Sequence, residues 1–258
     1  MKGNRRGRRA WRALRSAPLG VRLGVVVLVL VVLSFAVNWV YQVVRKPAEL
    51  FFPVSGALSK TPIETWRQYE PIFRQHGTAA MTPDFLAALA QLEGAGNPVA
   101  QTYWRWRLTT KPFDVYRPAS SAVGMYQTTD GTFGEAKRYC IHDHVVAEQG
   151  AWYDPGSCWF NSLYLRVVPS HAVEMTSAYL DRRVARALER HSIGAATLQQ
   201  KQDLAAVIHL CGAAAGNAYA RRGFHLGAGQ RCGDHDAGRY LARLNAMKHV
   251  FARLANAR

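Results

Sequence analysis

Residues 82–98 read TPDFLAALAQLEGAGNP. Thr82-Pro83 is a helix-start signal, a capping residue followed by a proline in the first turn. Phe85, Leu86, Leu89 and Leu92 then recur at helical spacing. Gly94 and Gly96 end the run. Glu93 comes four residues after Leu89 and seven after Leu86, so it shares their apolar face. A carboxyl among apolar neighbours is expected to favour its neutral form, and the negative end of the helix dipole pushes the same way. That makes Glu93 a candidate proton donor.

Helix signals continue on both sides. Thr61-Pro62 with Glu64 forms a capping box that predicts a helix to about His76. Further helices are expected from Ser170 to about Arg190, from Thr197 to about Arg222, and over roughly residues 236–255. Between Asn97 and Pro169 the text is rich in Gly, Pro, Ser, Tyr and Trp and lacks clear period. A long irregular stretch in a compact domain is usually functional.

Charge divides the chain. The formal net charge is +16, and ten Lys or Arg with no acid lie in residues 1–46, leaving +6 on the rest. The run Leu23–Val44, LGVVVLVLVVLSFAVNWVYQVV, is uncharged and long enough to span a bilayer as a helix. The basic stretch before it predicts a cytoplasmic N-terminus, with Trp39 and Tyr41 at the far interface. Ser34–Ala36 also offers a signal-peptide cleavage site, but the preceding basic region is unusually long for one. The expected organisation is a basic tail (1–22), a transmembrane helix (23–44), a juxtamembrane linker (45–60) and a mainly helical exported domain (61–258). The bulk basicity sits beside the span and reads as a topology signal, so nucleic acid is not an expected partner.

Four cysteines allow three connectivities. Two local pairs, Cys140–Cys158 and Cys211–Cys232, are the simplest, and an exported domain lets them persist. CIHDH, with Cys140, His142 and His144, offers zinc-type ligands but lacks an accompanying CxxC. No metal and no cofactor are expected.

A second stretch, Ser120–Gln127, reads SSAVGMYQ. With the helix ending in Glu93 and with Asn97-Pro98, it resembles the SLT-type lytic transglycosylase domain of the lysozyme-like superfamily. The resemblance covers roughly residues 61–139. It implies a mainly α, lysozyme-like α+β fold and cleavage of peptidoglycan glycan strands between MurNAc and GlcNAc, with Glu93 as the catalytic acid. It implies sugar contacts at Asn97, Ser121, Gly124, Met125, Tyr126 and Gln127, with Tyr219 as a candidate for a later aromatic position. The expected setting is the periplasmic side of a bacterial inner membrane. The sequence departs from the family pattern at Gly94, where a serine is usual, and at Tyr126. An insertion, TYWRWRLTTKPFDVYR (102–117), separates the motifs.

Tyr103, Trp104, Trp106, Tyr116, Tyr126, Trp152 and Trp159 offer stacking surface for sugars, Tyr103 and Trp104 first among them, and Gly124 would let a sugar approach the backbone. A lysozyme-type hydrolase would need a second carboxylate. Asp114, Asp130 and Glu135 are the candidates, although Asp130-Gly131 reads as a turn and Glu135 as a solvated charge at a helix start. The other alternative is an inactive wall-binding or assembly protein that keeps the fold.

Overall fold

The computed structural model describes residues 15–51, 55–154 and 156–257. The basic tail up to residue 14 and part of the linker, residues 52–54, lie outside them. The described chain is mostly helical and folds as two compact units.

The first unit joins Met1–Glu49 with Trp104–Arg117. Its helix α1 (Leu19–Arg45) is long and apolar enough to cross a membrane. Past its end Glu49 is buried, bound by Lys46 at 2.8 Å and by Trp104 Nε1 at 3.0 Å. The insertion noted in the sequence forms a two-stranded hairpin, β1 (Trp104–Trp106) with β2 (Tyr116–Pro118), closed by Arg107 N–H to Val115 O at 2.8 Å.

The second unit holds residues 50–103 and 118–258. Helix α2 (Pro62–Gln75) starts on the expected capping box, with the Glu64 side chain accepting from Thr61 N–H and Thr61 Oγ1 accepting from Glu64 N–H. Helix α3 (Pro83–Gly94) is the centre. Residues 85–90 are all buried, because α2 covers one side of it and α7 (Ala237–Asn256) another. Its burial is therefore wider than the single face read from Leu86 and Leu89. Ala87, Ala88 and Ala90 leave room for the neighbouring helices to approach. Helix α5 (Pro169–Arg190) packs on α6 (Leu198–Arg221) and completes the core.

Three local readings differ from the structure. Asp130-Gly131 opens a short helix, α4 (Asp130–Ala136), where a turn is expected. Thr129 caps it, its Oγ1 accepting from Thr132 N–H, and the acid in the first turn suits the helix dipole. Glu135 then falls at the end of that helix, paired with Arg183. The continuous helix expected over 197–222 is broken at Gly212, whose φ of 83° only glycine adopts readily.

The irregular middle becomes short paired segments. There strands β3 (Tyr139–His142) and β4 (Val145–Glu148) form an antiparallel pair; outside it, between α6 and α7, β5 (Arg231–Cys232) pairs with β6 (His235–Asp236). Cys140 pairs with Cys158 and Cys211 with Cys232, at Cα separations of 5.3 and 5.1 Å. With Cys140 and Cys158 joined to each other, the CIHDH stretch has no thiolate to offer a metal.

Candidate active site

Glu93 lies in the last turn of α3, with its side chain about one-sixth exposed. Tyr240, on α7, donates its hydroxyl to Glu93 Oε1 at 2.5 Å. His209 Nε2, three residues before the break in α6, is 3.8 Å from the same oxygen. Oε2 has no hydrogen-bond partner among the described residues. Burial and the adjacent carboxylate push the Tyr240 hydroxyl well above its ordinary pKa of 10.0, so it stays a donor at any working pH.

The two motifs meet at the end of α3. A Cβ added to Gly94 would fall 2.8 Å from Met125 Cα and 2.9 Å from Met125 O. The absence of a side chain at Gly94 is what lets the Gly124-Met125 backbone lie directly on the helix end. Ala95 then turns left-handed, with φ 49°, to close the helix.

Several residues expected to touch sugar are committed elsewhere. Met125, Tyr126 and Tyr219 are buried in the core, and the Tyr126 hydroxyl donates to Leu86 O at 3.2 Å. The close backbone approach at Gly124 is filled by the chain itself: a Cβ there would meet Arg166 O at 2.6 Å. Asn97 is buried, donating to Ser55 O and accepting from Val99 N–H. Gln127 donates its amide to Ala100 O and Gly124 O, both at 3.0 Å. The Ser121 hydroxyl accepts from Asp130 N–H. Ser121, Met125, Tyr126 and Gln127 belong to the loop that rests on Gly94, and their polar atoms or their volume are used inside the chain. Tyr103 is well exposed, whereas Trp104 belongs to the first unit.

The expected aromatic cluster is also divided. Within the hairpin Tyr116 stacks on Trp106 and lies tilted against Trp104. Trp152, Tyr153, Trp159 and Phe160 line a cavity of about 430 Å³ beside Glu174. Glu174 is a buried acid that sequence reasoning missed. Its oxygens accept from Ile141 N–H at 3.0 Å and from the Tyr164 hydroxyl at 2.7 Å, which ties α5 to β3.

The three second-acid candidates are each held by arginine. Asp130 is 2.7 Å from Arg166, Glu135 pairs with Arg183, and Asp114 contacts Arg45 and Arg117 within the first unit. Beside Tyr240 a polar cavity of about 190 Å³ is lined by Arg231, Arg239, Arg243 and His235 along with Asp234 and Asp236.

Tyr240 and His209 were invisible as site residues in the sequence. Tyr240 stands 147 positions from Glu93, on a helix whose spacing reads as ordinary packing. No protein-family model, curated protein or solved structure matches this chain.

Proposed function

We propose that the chain is a membrane-anchored lytic transglycosylase with a lysozyme-like catalytic domain, acting on peptidoglycan glycan strands. The resemblance of the Glu93 and Ser120–Gln127 stretches to the SLT-type domain motivates this reading. One observation carries it furthest: Glu93 is a largely buried carboxyl with Oε1 bonded by Tyr240 and Oε2 without a hydrogen-bond partner among the described residues, while Asp114, Asp130 and Glu135 each pair with an arginine. That arrangement suits a single-acid mechanism.

In this reading Glu93 Oε2 carries the proton and gives it to the glycosidic oxygen as the C1–O bond of MurNAc breaks. The substrate's own N-acetyl oxygen stabilises the electron-poor C1, so no protein nucleophile is required, a departure from the two-carboxylate pattern. The Glu93 carboxylate then takes the proton of the C6 hydroxyl, whose oxygen closes on C1. The product is a 1,6-anhydro sugar, and no water is consumed. Tyr240 acts as a positioning residue, holding Oε1 so that Oε2 faces the substrate. Arg231, Arg239 and Arg243 outnumber Asp234 and Asp236 around the neighbouring cavity, which leaves it a small positive excess suited to the anionic wall.

Helix α1 fits a span with the N-terminus in the cytoplasm of a bacterial cell and the remainder in the periplasm, where two disulfides persist. The test is release of soluble muropeptides from purified sacculi by the full chain in detergent. Wild type should solubilise sacculi and Glu93→Gln should not, with both proteins equally folded. Equal release by both would remove Glu93 from the chemistry and the reading with it.

A further inference from the structure

We propose that the hairpin 104–117 is a second membrane element, lying in the lipid at the C-terminal end of α1 and contacting phospholipid. The inference rests on reading α1 as a membrane span.

The first observation is depth. Within the first unit the hairpin runs along α1 itself. The Phe35 ring lies 6.0 Å from both Trp106 and Tyr116, Tyr41 stacks on Phe113 at 4.5 Å, and Arg45 reaches Asp114 at 3.7 Å. A helix rises about 1.5 Å per residue, so these contacts occupy about 15 Å of α1. The bilayer's hydrocarbon core is about 30 Å thick, which needs nearly all of the uncharged run Leu23–Val44. If the hairpin stood in water, only residues 23–34 would remain, about 18 Å of helix, too short to cross. The part of α1 that carries the hairpin must therefore be in the membrane, and the hairpin with it.

The second observation is the hydrogen bonding. Lipid offers no partner to a bare carbonyl, so irregular backbone there needs one from protein. The uncharged run holds two side-chain amides, and each faces the hairpin. Asn38 donates to Tyr116 O at 2.7 Å and Gln42 to Phe113 O at 2.6 Å. An amide in a Val/Leu run is costly without such a duty.

The third is what the hairpin leaves outside. Leu108 is fully exposed and Trp106 is 65% exposed, both apolar groups suited to acyl chains. Val31, Ser34 and Phe35 form with Trp106, Pro112 and Val115 a mainly apolar cleft of about 230 Å³, where an acyl segment can lie. Arg105, Arg107 and Lys111 are exposed, while the hairpin's acid, Asp114, is engaged by Arg45 and Arg117. Long basic side chains carry their charge up to the headgroup phosphates from a buried stem. An apolar centre, basic flanks and two hairpin carbonyls bonded by amides of the span together point to an anionic phospholipid surface.

The test is photocrosslinking of the full chain in vesicles of phosphatidylethanolamine and phosphatidylglycerol. A benzophenone amino acid is placed singly at Leu108, at Leu28 in mid-span, or at exposed Leu163 of the second unit, and phospholipid adducts are read by mass. Adducts are expected at Leu28 and Leu108, with at least tenfold less at Leu163. Adducts at Leu28 with Leu108 no better than Leu163 would overturn the hairpin and leave the span standing. No adduct at Leu28 would overturn the span, and the hairpin inference would fall with it.

Discussion

Glu93 has Oε1 bonded by Tyr240 and Oε2 without a hydrogen-bond partner among the described residues, and that asymmetry gives the sharpest consequences at the scale of single residues. Tyr240→Phe keeps the ring and removes the donor at 2.5 Å. A hydrogen bond to a charged group is worth about 1.5–3 kcal/mol, so Tm should fall by several degrees at about 2–4 °C per kcal/mol, and sacculus digestion assayed well below that midpoint should slow about tenfold to a hundredfold. An unchanged rate would show that Oε1 needs no holding. Gly94→Ala tests the contact between the two motifs. Its Cβ would meet Met125 backbone atoms, which cannot move like a flexible side chain. The expected loss is about 1–3 kcal/mol, or several degrees in Tm at about 2–4 °C per kcal/mol. Gly131→Ala, with open space around it in α4, is the control and should be neutral or stabilising. Equal Tm values for Gly94→Ala and wild type would mean the close approach is not constraining.

At the scale of elements, two helix starts were readable because capping chemistry is local, whereas Thr82 heads α3 without a side-chain cap and Val168 heads α5 likewise. Thr61 with Glu64 and Thr197 with Gln200 both form complete capping boxes, each satisfying backbone donors within three residues. The break at Gly212 was not readable, since a glycine in an Ala-rich run keeps helical spacing on either side. Asp130-Gly131 has turn chemistry in isolation, and only Thr129 and the packing of α4 on α5 make it a helix start. Helix α5 carries a pH-dependent element. His171, on α5, and His76, just past α2, flank buried Glu174. Burial, the largest influence on both, holds their pKa values below the ordinary 6.5. A depressed pKa contributes stability that is present above about pH 6.5 and lost as pH falls through the folded value. The urea midpoint should therefore drop between pH 7.5 and 5, and His76→Phe should weaken that drop. A midpoint in the variant that falls as steeply as in wild type would assign the acid limb to other groups.

For the whole molecule, the sequence resolved what is local and left open what is assembled. The uncharged run, the paired cysteines and Glu93 at a helix end were legible from residues near one another. Tyr240, His209 and Glu174 were not, because each becomes a neighbour only when distant helices pack. The aromatic residues misled for the same reason: composition placed them together, and the fold sent Trp106 and Tyr116 to one unit and Trp152 and Trp159 to the other. The disulfides Cys140–Cys158 and Cys211–Cys232 close loops of 18 and 21 residues. Loops near that size are worth about 3 kcal/mol each, a large share of a typical stability of about 5–15 kcal/mol. Reductant should lower Tm by at least about 10 °C, and a shift under about 2 °C would show that the helical core holds without them. Transglycosylation by Glu93 is tested most directly by the mass of the sugar ends released from purified sacculi by the full chain. Anhydro-MurNAc ends, lighter than reducing ends by one water and absent with Glu93→Gln, are the expected result. Reducing MurNAc ends, or no Glu93-dependent release, would contradict it.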